Sequence, residues 1–65
     1  MILTLLVQYN YNGTISIAEP IGSKLYDYYE IATAKTLKEA KDKAYKHYEG
    51  TNIKLVFIDD EGDEL

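Results

Sequence analysis

His47 is the only imidazole in the chain, and Asp59-Asp60-Glu61-Gly62-Asp63-Glu64 is its densest run of carboxylates. Such residue types supply general acid–base or metal-assisted chemistry. Nucleophilic chemistry with His47 needs a hydroxyl and an orienting acid within reach. The serines are Ser16 and Ser23, and neither lies in a nucleophile-elbow pattern. The helical spacing described below puts His47 at the edge of a packed stripe, where a structural role is expected. The acidic run invites comparison with a calcium loop, but an EF-hand loop takes about 12 residues closed by a bidentate Glu. An acidic turn or tail over 59–65 is expected instead. Asp59 and Asp60 are adjacent, so on a strand they point to opposite faces and do not flank one bond. The four glycines stand singly at turns and form no phosphate-cradling loop. The residues therefore point to a protein that is not an enzyme and carries no cofactor or metal. A small enzyme using His47 with carboxylates is the lesser alternative.

The elements that position these residues follow from hydrophobic period and turn chemistry. Leu3, Leu5, Val7 and Tyr9 alternate with Thr4, Leu6 and Gln8, the period of a strand. Asn12-Gly13 marks a hairpin. A two-residue loop would put Ile15 and Ile17 on the face of Gln8, whereas the three-residue loop Tyr11-Asn12-Gly13 puts them beside Tyr9 and Val7. The pattern selects the longer loop, with Gly13 at positive φ. Glu19-Pro20-Ile21-Gly22-Ser23 reads as a loop. A third strand is expected within 25–33, its phase ambiguous and a bulge near Glu30 compatible with it. Thr36-Leu37-Lys38-Glu39 is a capping box opening a helix from Leu37 to about Glu49, stopped by Gly50. Leu37, Ala40, Ala44 and Tyr48 form its apolar stripe. Ile53 to Ile58 is the last strand. The order is β-β-β-α-β: an α+β fold of one domain, 1–65, with a mainly antiparallel sheet and one helix on one face.

Composition bounds the function. Sixty-five residues bury only about 60% of the surface that their unfolded chain exposes and, without Cys, have no covalent staple, which favours association into a homodimer. Seven Lys, no Arg and 11 acids leave a net charge of −4. Five of the Lys fall in 35–47 against two acids, so the rest of the chain is strongly acidic. The helix pairs Glu39–Lys43 and Asp42–Lys46 have the i,i+4 spacing of a solvated surface. Direct nucleic-acid binding is not expected, because phosphate contacts need clustered cations. The apolar run at the N-terminus has no basic flank and is too short for a signal or a membrane span, so a cytoplasmic protein with no membrane partner is expected.

One helix covers one sheet face. With Leu3, Leu5, Val7, Leu55 and Phe57 beneath it, Ile2, Leu6, Val56 and Ile58 are left on the other face, joined in one phase of the third strand by Tyr26 and Tyr28. Seven Tyr in 65 residues suit a surface that is wet when free and buried when bound. That face is the expected interface, unless the loop over 19–24 folds back across it. A second expected surface is acidic: Asp27, Glu30, Asp59, Asp60, Glu61, Asp63 and Glu64, which in rows would present carboxylates as a nucleic-acid mimic to a basic nucleic-acid-binding protein. Small acidic proteins that contain Lys and Asn, like this one, resemble in general style, without a shared motif, phage early proteins that inhibit host machinery. That resemblance implies a host protein as partner and the host cytoplasm as location. A structural or accessory subunit of a larger assembly is the alternative.

Overall fold

The computed structural model describes residues 1–22 and 27–65. These comprise strands β1 (Ile2–Tyr9), β2 (Ile15–Pro20) and β3 (Tyr28–Ala34), helix α1 (Leu37–His47) and strand β4 (Lys54–Ile58). The four-stranded sheet has the order β3-β2-β1-β4. β2 runs antiparallel to both β1 and β3, and β4 lies parallel to β1, so the sheet is mixed. β3 and β4 are opposite edges running in the same direction. The chain between them must cross the whole sheet, which is what α1 does.

The first hairpin forms in the register that the hydrophobic pattern selects. Tyr9 faces Ile15 and Val7 faces Ile17. Asn10 N–H donates to Thr14 O at 2.9 Å, Gly13 N–H donates to Asn10 O, and Gly13 has φ +84°. The expected loop over 19–23 is corrected: Glu19 and Pro20 continue β2 and pair with Tyr29 and Tyr28. Pro20 is tolerated because it ends the strand and the ladder to β1 has already stopped at Ala18.

β3 carries a bulge. Ile17 pairs with Ala32 but its neighbour Ala18 pairs with Glu30, leaving Ile31 as the extra residue. The insertion turns Glu30 to the solvated face while Ala32 and Ala34 face the helix, resolving the ambiguous phase of this strand.

The core lies between α1 and one sheet face. Leu5, Val7, Ile15, Ile17, Ala32, Ala34, Leu55 and Phe57 meet Ala40 and Ala44, both fully buried. Leu37, Tyr48, Leu3, Ile31 and Ile53 pack around them. Alanines on the helix let it approach the sheet closely, so the strands supply the bulk. Tyr45, off this stripe, sets its ring edge-on to Phe57 at 5.5 Å. Thr36 Oγ1 accepts from Glu39 N–H at 3.2 Å, which is the Thr half of the expected capping box.

The helix ends at His47, two residues earlier than expected. Tyr48 caps it, donating its N–H back to Ala44 O, while its hydroxyl donates to the Glu19 carboxylate on β2. Burial, reinforced by Glu19, raises the Tyr48 hydroxyl pKa above its ordinary value. Gly50, at φ +86°, then redirects the chain toward β4. Among the described residues, no helix is long and apolar enough to cross a membrane.

Two substitutions check this architecture by urea denaturation. Gly13→Ala meets no neighbouring atom, so only its left-handed backbone resists, and a loss of about 1 kcal/mol is expected. Ala44→Leu overfills the helix–sheet contact and is expected to cost about 1–3 kcal/mol. An unchanged midpoint for Ala44→Leu would show that the helix does not sit close on the sheet.

Candidate functional site

The far face of the sheet, opposite α1, is read directly from the register. One row across it is Glu64, Ile58, Leu6, Ala18, Glu30. The next pairs Thr4 with Val56, and beyond it Ile2 pairs with Lys54. Pro20 and Tyr28 lie one step beyond Ala18 and Glu30 on the same face. The structure therefore brings Ile2, Leu6, Val56, Ile58 and Tyr28 onto one surface. Ile2 is 66% exposed and Tyr28 43%, while Leu6, Val56 and Ile58 are half-buried by their neighbours in the sheet. Tyr26, also expected here, lies outside the described residues, as do Ser23 and Lys24 of the loop that would cover this face. Ile21 and Gly22, at its start, are exposed.

Toward the hairpin end the same face turns polar. Gln8 pairs with Ser16, and Ser16 with Thr33. Asn10 Nδ2 donates to Thr14 Oγ1 at 3.0 Å and to Ser16 Oγ at 2.8 Å. The hydroxyls of Ser16 and Thr33 stabilise the Glu30 carboxylate and hold its pKa below the ordinary 4.5. Glu30 stands exposed at the margin of the apolar patch.

The expected acidic surface is divided. Asp27 and Glu30 stand at β3, whereas Asp59, Asp60, Glu61, Asp63 and Glu64 lie beyond β4, at the opposite edge of the sheet. The latter five do not form a loose tail. Asp59 N–H donates to Asp63 O at 2.9 Å, Gly62 N–H donates to Asp59 O, and Gly62 has φ +87°. This repeats the geometry of the Asn10–Thr14 turn. Asp59 Oδ1 accepts from the N–H groups of Glu61 and Asp63, and Leu65 N–H donates to Phe57 O. The segment returns along β4 and sets Glu64 beside Ile58 on the far face. The signal was legible: an Asn or Asp three residues before a glycine, Asn10–Gly13 and again Asp59–Gly62.

The helix lysines also depart from expectation. Lys43 Nζ donates to Thr33 O on β3 at 2.8 Å, not to Glu39. Lys41 Nζ donates to Leu65 O at 3.0 Å and lies over the Phe57 ring. The ion pair of the helix is Lys38–Asp42 at 3.4 Å, fully solvated, in place of Asp42–Lys46. Period alone locates a helix face, but the reach of a lysine to an edge carbonyl depends on tertiary placement.

His47 is exposed on the helix side, with Tyr48 edge-on at 4.8 Å, while Ser16 is on the far face, so sheet and core separate them. A depression of about 220 Å³ lies where β1 runs past the end of β4, lined by Val7, Gln8, Tyr9 and Asp60. It is smaller than the roughly 300 Å³ at which ligand pockets begin. Compared with known proteins, the chain matches no protein family, no curated protein and no solved structure.

The Glu30 environment gives a titration prediction. A depressed carboxyl pKa contributes stability at pH above its ordinary value and loses it as pH falls through the lower folded value. By NMR titration, Glu30 is expected to have its midpoint below 4.5, and Ser16→Ala is expected to move it back toward 4.5. An unchanged midpoint in that variant would remove Ser16 from the account.

Proposed function

We propose that this protein is a non-enzymatic interaction module that binds another protein through the far face of its sheet. The observation that carries the reading is the apolar cluster of Leu6, Val56 and Ile58, with Ile2 beyond Thr4 and Tyr28 at its margin, on the side of the sheet away from α1. A sheet face meant for water carries mostly polar residues, and the β1–β4 half of this face carries Thr4 and Lys54 against four apolar residues.

The sheet edges support the same choice of surface. β3 is bulged at Ile31, and Lys43 occupies its Thr33 carbonyl. The β4 edge is occupied by the returning 63–65 segment. Bulges, lysines and returning chain are devices that discourage pairing with a foreign strand. The face is then the open route to association. A module of this kind acts as an inhibitor when it docks on a host enzyme, and as an accessory subunit when it stays bound.

Leu6→Lys tests the reading, since Leu6 is at the centre of the patch and contributes little to the core. Affinity capture from the lysate of its native cell is expected to recover a partner with the wild type and to lose it with Leu6→Lys. The far-UV circular dichroism of the variant should remain that of the wild type. Equal capture by a folded Leu6→Lys chain would contradict the proposal.

A further inference from the structure

The charges around the far face limit what can lie on it. Its central row begins and ends in a carboxylate, Glu64 beyond β4 and Glu30 on β3, with Ile58, Leu6 and Ala18 between. Four strand spacings separate the two acids, about 19 Å. Both acids are exposed, and their places in the row are set by backbone pairing, Glu30 with Ala18 and Glu64 with Ile58. Lys54 stands beside Ile2 at the end of the patch, not on its flanks.

A second copy stacked with its strands aligned to the first fits this pattern badly. Leu6 is the midpoint of the row, two strands from each acid. A two-fold axis through Leu6 along the strands would place Glu30 of one copy over Glu64 of the other. An axis across the strands would place like residue over like. Both arrangements oppose carboxylates, which costs affinity.

The near face shows what does fit. There the apolar stripe of α1 lies on the sheet, and lysines from its two flanks reach opposite edges: Lys43 to Thr33 O on β3, and Lys41 to Leu65 O beyond β4. One helix, about 10–12 Å across with its side chains, thus spans the sheet when lysines splay outward from it. On the far face the corresponding edge positions hold carboxylates, which are stronger acceptors for a cation than carbonyls.

Resting on the interface reading above, we infer that the far face receives a cationic amphipathic helix of another protein. Its apolar stripe lies on Ile2, Leu6, Val56 and Ile58, and Lys or Arg on its two flanks pair with Glu30 and Glu64. The mode is helix-in-groove recognition with the groove formed by a sheet between two acidic margins.

The test uses a synthetic helical peptide of about 18 residues, a length of about 27 Å. Leucines recur at i, i+3, i+4 and i+7, with lysines along both flanks; a second peptide replaces those lysines with glutamates. Binding to the whole chain is followed by fluorescence anisotropy. Two solvated ion pairs of ordinary strength make the lysine peptide bind about tenfold more tightly than the glutamate peptide. The preference narrows with added salt. It inverts for Glu30→Lys/Glu64→Lys, and weakens for Glu64→Lys alone, which leaves the Glu30 network intact. Leu6→Lys abolishes binding of both peptides. If both peptides bind equally to the wild type and Leu6→Lys removes both, the charge inference is overturned while the interface reading stands. If neither binds and the chain sediments as a dimer that Leu6→Lys dissociates, the occupant is a second copy and the inference is again overturned. If neither binds and the chain is a monomer, both readings fall.

Discussion

A four-stranded sheet has two faces, and a chain of 65 residues has folded with one helix to cover them. That constraint organises the rest. The helix must travel from the β3 edge to the β4 edge, so it crosses the sheet and buries the face it crosses. Ala40 and Ala44 bring it close, and Leu5, Val7, Ile17 and Phe57 fill the space beneath. Apolar burial contributes roughly 25 cal/mol per Å², and nearly all of it comes from this one contact layer. The other face keeps Leu6, Val56 and Ile58 half-buried and Ile2 open to solvent. It is apolar beyond what solubility requires, and the bulge at Ile31 adds a carboxylate at its margin by turning Glu30 outward.

The same crossing lets the helix guard the sheet edges. Lys43 and Lys41 leave opposite flanks of α1 and end on backbone carbonyls at the two sides of the sheet. The β4 edge is further closed by the turn at 59–63, whose geometry repeats that of the first hairpin. Edge pairing is discouraged on both sides, while the far face has an apolar centre and acidic flanks. The cationic helix proposed above would bring apolar bulk and positive charge together to that distribution.

Much of this was legible in the residues. The competition between two hairpin registers is decided by where Ile15 and Ile17 must face, and the structure agrees through Gly13 at φ +84°. The helix stripe, its Thr36 cap and the placement of Ile2, Leu6, Val56 and Ile58 opposite it follow from period alone. What period could not supply was tertiary. Pro20 looks like a loop residue until the end of the β1 ladder shows why a strand can hold it. The lysines look like a solvated face until the sheet edges come within reach. The 59–65 segment was partly obscured by its charge: five acids left turn and tail both open, although Asp59 and Gly62 carry the turn signal that Asn10 and Gly13 carry. With it came the position of Glu64 beside Ile58, which period arguments on the strands alone do not reach.

The interface reading requires that the far face be open in the free protein. Methyl NMR of the dilute, isolated chain with a soluble paramagnetic agent measures this directly. The account predicts strong relaxation of the Ile2, Val56 and Ile58 methyls, against protected methyls at Val7, Ile17 and Leu55. Far-face methyls as protected as those beneath α1 would mean that something already covers the surface, and would contradict the account.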